Sequence, residues 1–167
     1  YSRLAPYTVF VAAQKETDLM RELYHIYRPK GFDGVIGQDD AIAVLENHLE
    51  ENNLPRAILL SGPSGVGKTT IARILKTRLG CHSNDYHEID CPALEEIVKE
   101  MRGIKKHMGL LATKSGGCRI WYLDECHVLP KSPGQQSLLK MLEDTPLHVY
   151  FFLASTEPNK LISTIRN

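Results

Sequence analysis

Gly62, Pro63, Ser64, Gly65, Val66, Gly67, Lys68 and Thr69 match the pattern GxxxxGK[ST] position for position, with Thr70 immediately after. The chemistry such a run supports is capture of a polyphosphate. Its backbone must curl so that successive N–H groups converge on phosphate oxygens, and a Cβ at Gly62 or Gly67 would obstruct that path. Lys68 would neutralise the β and γ phosphates as a point charge, and the Thr69 hydroxyl would ligate Mg²⁺. A glycine-rich turn that merely happens to contain Lys and Thr is the plain alternative. The context disfavours it, because apolar Ala57 to Leu60 precede the run and an amphipathic stretch from Ile71 to Leu79 follows it. Strand, loop and helix in that order put the phosphates on a helix N-terminus.

A second pair of residues could act on what the loop holds. Ile120 to Leu123 read as a buried strand and run into Asp124 and Glu125. Asp124 suits the metal, directly or through water, and Glu125 suits a water aligned on the γ-phosphate, as base or orienter. The run Val149 to Ala154 ends in Ser155, Thr156 and Glu157. A parallel neighbouring strand would bring the Thr156 hydroxyl to the same crevice, where it could hold the attacking water. The catalytic set expected from these residues is Glu125, Lys68 and Thr156.

These residues need a scaffold that presents strand ends together. Apolar strand candidates at Ala57–Leu60, Tyr86–Ile89, Arg119–Leu123 and Val149–Ala154 alternate with stretches of helical period. That alternation is the mark of an α/β fold with a parallel sheet covered by helices. The helical faces are Ile42, Leu45 and Leu49; Ile71, Ile74, Leu75 and Leu79; Leu94, Ile97, Val98, Met101 and Met108; and Leu138, Leu139 and Leu142. Residues 1–22 are weakly patterned and precede a Pro/Gly-punctuated stretch from Arg28 to Gly37, so they read as an extension of unassigned role. Leu161, Ile162 and Ile165 suggest a structured segment still under way where the sequence stops, as in a piece of a longer protein.

Composition narrows the rest. The chain has 167 residues, 43% apolar and 24% charged, enough for a sizeable core without staples. Twenty Lys and Arg balance twenty Asp and Glu, so contact with nucleic acid must come from a local patch. The longest apolar run, Val149 to Ala154, falls far short of the roughly 20 residues of a membrane helix. No secretory signal is visible. The four cysteines, Cys81, Cys91, Cys118 and Cys126, contain no CxxC, which fits reduced thiols and gives no reason to expect zinc.

Several segments together resemble one family. Tyr27 to Gln38 (YRPKGFDGVIGQ), Ser61 to Ile74, Leu123 to His127, Leu138 to Asp144 and Ala154 to Pro158 are similar to the AAA+ clamp-loader ATPases. The likeness is strongest to bacterial DNA polymerase III gamma/tau subunits, with replication factor C small subunits and phage clamp loaders further off. It covers about residues 23–167, which would form an AAA+ nucleotide-binding domain of the P-loop NTPase class.

The resemblance implies that Tyr27, Arg28 and Pro29, with Val35, Ile36 and Gly37, surround the adenine of ATP. It implies that Lys68 and Thr69 hold phosphate and Mg²⁺, that Asp124 and Glu125 are the Walker B acids, and that Thr156 is the first sensor. Gln136 looks like the family's relay from DNA to the catalytic glutamate, with an exposed helical glutamine as the plain alternative. The implied partners are other loader subunits in a ring, a sliding clamp and primer-template DNA, in the cytoplasm of a bacterial or phage-infected cell and with no membrane. Lys99, Arg102 and Lys106, at i, i+3 and i+7, could face DNA phosphates or simply be a solvated face.

Departures from the family pattern set further expectations. The cysteine-rich zinc module of gamma/tau subunits looks absent, since only Cys81 lies between the loop helix and Asp90. The arginine-finger motif would follow Ile165 and falls outside the chain, as do the helical lid and collar, and Arg166 is not that finger. An isolated fragment of this extent is expected to hydrolyse ATP weakly, because a finger supplied in trans is worth about 10³–10⁵ in rate. Three rival readings follow from the same residues, the first a small-molecule kinase, which the loop alone would allow but which rarely needs tandem acids and a polar strand end. Asp124-Glu125-Cys126-His127 is also a DExH box, as in superfamily 2 helicase lobes, and a loader subunit could use nucleotide architecturally without turnover.

Overall fold

The computed structural model describes residues 28–166, so the expected extension at 1–22 and Tyr27 lie outside the described residues. Four parallel strands form one sheet: β1 (Ala57–Ser61), β2 (Tyr86–Asp90), β3 (Arg119–Asp124) and β4 (Val149–Ser155). Their order across the sheet is β1-β4-β3-β2. β3 and β4 are nearly continuous apolar runs because they occupy the centre and are covered on both faces. Each strand extends one residue beyond its sequence-based bounds, into the polar residue that ends it.

The helices are α1 (Asp39–Glu50), α2 (Lys68–Arg78), α3 (Ile97–Met108), α4 (Gln136–Glu143) and α5 (Ser163–Arg166). Parity along the strands assigns them to faces. On one side, Ile120 and Tyr122 of β3 and Phe152 and Ala154 of β4 pack with Ile42 and Leu45 of α1 and with Ile71, Ile74 and Leu75 of α2. On the other, Trp121, Leu123, Phe151 and Leu153 pack with Met101, Ile104 and Met108 of α3 and Leu138 and Met141 of α4. An α/β sheet sandwiched between helices results, as the alternating pattern requires. Among the described residues, no helix is long and apolar enough to cross a membrane.

One helical face differs from expectation. Leu94 lies outside α3, in extended backbone after the turn Cys91–Ala93, whose Pro92 occupies its start. The buried stripe is Met101, Ile104 and Met108, with Ile97 packed against it, and Val98 is 43% exposed. Successive helical residues turn by about 100°, so Ile97 shares that stripe whereas Val98 is rotated toward solvent. Lys99, Arg102 and Lys106 are exposed on the side away from the stripe.

The register brings the chemistry to one edge. Ser61 pairs with Ser155, and Asp90 with Asp124, so all four strands end at a common level at the carboxyl edge of the sheet. Ligands of open α/β sheets bind at that edge.

Candidate functional site

The loop between β1 and α2 is tied at its start by Gly62 N–H donating to the Ser155 carbonyl at 3.1 Å. Gly62 has φ +153°, and a Cβ there would stand 3.2 Å from Val66 Cγ2. Gly67, the residue that caps α2, has φ +96°, a left-handed conformation that glycine adopts without the steric cost of a Cβ. From there the helix begins, with Ile71 N–H on the Gly67 carbonyl at 2.8 Å. The first-turn N–H groups have no intrahelical acceptor and present the positive end of the helix dipole. Lys68 is nearly buried, and its Nζ donates to the carbonyls of Gly62 at 2.9 Å and Pro63 at 3.1 Å. Those two bonds hold the ammonium across the hollow of the loop.

An open cavity of about 250 Å³ lies over this loop, lined by Ser64, Gly65, Gly67, Lys68, Thr69 and Thr70 with Arg28, Asp124 and Glu125. Loop residues and both strand-end acids therefore share one space. Thr69 and Asp124 offer a hydroxyl and a carboxylate there, hard oxygen donors of the kind that Mg²⁺ takes beside phosphate. The donor set present fits that ion.

Glu125 leaves β3 in a left-handed conformation, φ 46° and ψ 44°, which is costly for a residue with a Cβ. Its own N–H donates to Asp124 Oδ1 at 3.0 Å. Glu125 Oε2 accepts from the Thr156 backbone N–H at 2.9 Å and from Thr156 Oγ1 at 2.8 Å. Thr156 stands directly after β4, so the adjacency of β3 and β4 creates this contact. His127 is buried behind the pair, with Nδ1 3.2 Å from both Glu125 Oε2 and Ser155 Oγ and Nε2 3.4 Å from Glu157 Oε1. Glu157 is exposed, and the hydrogen bond from Lys160 holds its carboxyl below the usual range. Burial pushes the neighbouring Cys126 thiol up to about 12, so it stays protonated near neutrality.

The other expected site residues are distributed unevenly. Arg28 lines the cavity together with the loop residues. Pro29 packs under the turn Phe32–Gly34, where a Cβ on Gly34 would come 2.9 Å from Pro29 Cβ. Val35 is packed against the core, and its Cγ1 lies 4.0 Å from where a Gly67 Cβ would be. Ile36 is 95% exposed and Gly37 turns the chain with φ +76°. Pro63 and Val66 belong to the loop but do not line the cavity.

Gln136 is exposed at the first position of α4, and the hydrogen bonds to the Glu125 carboxylate come from Thr156. Its neighbour Gln135 is the buried one, donating to the Leu129 carbonyl at 2.9 Å and accepting from Ile162 N–H at 2.8 Å. Lys99 pairs with Glu96 at 2.8 Å and, with Val98, Arg102, Pro130 and Pro133, borders a separate surface hollow.

Two site residues escape sequence reasoning. Tyr122, whose hydroxyl is 3.0 Å from Thr69 Oγ1, reads as one more apolar residue of a buried strand. Only its even spacing from Asp124 hints that it faces α2. His127 was visible as the last letter of the Asp124–His127 run, without a partner to give it a role.

Residues 58–167 match the AAA family, the ATPase family associated with various cellular activities. The chain is 33% identical over 165 aligned residues to DNA polymerase III subunit tau of Bacillus subtilis, covering 86% of this chain and 29% of that protein. It is 34% identical over 160 residues to DNA polymerase III subunit tau of Escherichia coli, covering 83% of this chain and 24% of that protein. It thus spans less than a third of the length of these relatives. Among solved structures, the RuvB Holliday junction branch migration motor of Thermotoga maritima superposes with a TM-score of 0.63 at 28% identity, covering 84% of this chain and 45% of that chain. With its phosphate loop, its strand-end acids and this match over most of its length, the chain belongs to the AAA family of ATPases.

Proposed function

We propose that this chain is the ATP-binding and hydrolysing core of a DNA polymerase clamp-loader subunit. The observation that carries the catalytic part is the meeting of Glu125 and Thr156 at the rim of a cavity floored by the phosphate loop. Lys68 and the first N–H groups of α2 bind the β and γ phosphates. Thr69 and Asp124 hold Mg²⁺, which when bound offsets phosphate charge. Glu125 takes a proton from the attacking water, and Thr156 orients Glu125 and that water. Val35, exposed Ile36 and Gly37, with Tyr27, Arg28 and Pro29, form the adenine side, and an apolar surface such as that of Ile36 is suited to a flat base.

The likeness to DNA polymerase III tau subunits supports the loader role and the cytoplasmic setting. In that role the chain works beside other loader subunits, opens a sliding clamp and acts on primer-template DNA, with Lys99, Arg102 and Lys106 facing phosphates. The test is ATP turnover by the full-length protein with candidate partner subunits, measured with and without clamp plus primed DNA. Stimulation requiring both clamp and primer supports the reading. Duplex unwinding or junction migration with no clamp present would replace it with a motor function, the activity named for the RuvB neighbour.

A further inference from the structure

Tyr122 is 1% exposed, and most of its neighbours on that face, including Ile71, Leu75, Ile120 and Ala154, are hydrocarbon. A phenol in such a place needs a partner for its hydroxyl, because an unpaired buried OH is costly. The partner is Thr69 Oγ1 at 3.0 Å, the hydroxyl that the proposed site assigns to Mg²⁺. Two residues further along the same face stands Asp124, the carboxylate assigned to that ion. Burial raises the phenol's pKa, the Thr69 hydrogen bond pulls it down by less, and the Asp124 carboxylate raises it again, by its charge and as an acceptor for the phenol's own proton.

A threonine hydroxyl carries one proton and two lone pairs. To give a lone pair to a cation it must send its proton elsewhere, and inside a protein that proton needs an acceptor. The Tyr122 oxygen stands at hydrogen-bond distance to receive it. We propose that Tyr122 is a positioning residue for Thr69, accepting the Thr69 hydroxyl proton and thereby turning a Thr69 lone pair toward the Mg²⁺ of the bound nucleotide. The proposal rests on the reading of this cavity as a Mg·ATP site.

The experiment uses the full-length protein and a fluorescent ATP analogue, titrated in EDTA and then against Mg²⁺. Tyr122→Phe keeps the ring and removes only the hydroxyl. Its nucleotide affinity in EDTA should match wild type, whereas the Mg²⁺ concentration that half-maximally tightens binding should rise about tenfold, as expected when a buried donor loses its acceptor. Tyr122→Phe with wild-type Mg²⁺ dependence would overturn the proposal while leaving the nucleotide site standing. A wild type whose affinity ignores Mg²⁺ would overturn the site reading and the proposal with it. A measurement on the native side chain guards against a misfolded variant. Mg²⁺ added to the nucleotide complex should perturb tyrosine ultraviolet absorbance in wild type and not in Thr69→Val, and equal spectra in the two would also overturn it.

Discussion

Thr156 grips a single oxygen of Glu125 twice, through its backbone N–H at 2.9 Å and its hydroxyl at 2.8 Å. The two residues are far apart in sequence, and only the side-by-side placement of β3 and β4 joins them. The hydroxyl bond is the part that a substitution can remove. Thr156→Val keeps the side-chain shape and the N–H donor while losing one of two bonds to the carboxylate. We expect kcat for ATP to fall about 10–100-fold with KM nearly unchanged, since a charge-assisted bond of this kind is worth roughly 1.5–3 kcal/mol when removed. Steady-state kinetics on the assembled protein would show this. A change confined to KM would place Thr156 in binding instead.

Glu125→Gln separates holding from hydrolysis. The amide oxygen can still accept from Thr156, so the local fold should persist, but an amide cannot take a proton from water. Turnover is expected to fall about 10²–10⁴-fold while equilibrium ATP binding stays within a few-fold of wild type. Retained turnover would favour a subunit that uses nucleotide for shape alone.

Lys68→Met tests the opposite half of the site. Its ammonium spans the Gly62 and Pro63 carbonyls and faces the region assigned to the terminal phosphates. ATP affinity should drop by more than tenfold, a loss of at least about 1.4 kcal/mol. Adenosine affinity should be unaffected, because the proposed site sets Lys68 against the phosphates and the base against the segment around Ile36. Calorimetry with ATP, ADP and adenosine would resolve the gradient. An equal loss for all three would mean that the loop had collapsed.

Much of this was legible from residue types alone, and the reasons differ from part to part. The phosphate loop is local: strand, glycines, lysine and helix are consecutive, so spacing determines its geometry. The contact of Thr156 with Glu125 is not local. Spacing placed Thr156 at a strand end, but only the order β1-β4-β3-β2 decides which strand end it meets. Val98 departs from the expected face because the turn at Pro92 ends the periodicity that Leu94 suggests, and α3 starts only at Ile97. Gln135 and Gln136 have the same side chain, and nothing local distinguishes the buried one from the exposed one. The role of Tyr122 is hidden for a chemical reason, since its ring satisfies the apolar pattern and its hydroxyl leaves no mark on it.

The far end of the sheet makes a prediction about stability and pH. Asp85 is 1% exposed, accepts from Thr113 N–H at 2.7 Å and pairs with Arg119 at 2.9 Å, just ahead of β2 and at the start of β3. Burial alone would raise its pKa, but the Thr113 hydrogen bonds and the Arg119 charge outweigh it and hold the carboxyl below the ordinary range. A carboxyl with a lowered folded-state pKa contributes stability that is present above the unfolded value of about 3.9 and is lost as pH falls through the folded value. Asp85→Asn removes that contribution and leaves the largely buried Arg119 guanidinium without its counter-charge. We expect it to lower unfolding free energy by about 2–3 kcal/mol at pH 7. The gap between wild type and variant should stay level from neutral pH down to about 5 and then narrow below about 4, where Asp85 of the unfolded chain takes up a proton that the folded chain still refuses. Urea unfolding at a series of pH values reads this directly. A gap as wide at pH about 3 as at neutrality would show that Asp85 acts through shape and hydrogen bonding rather than charge.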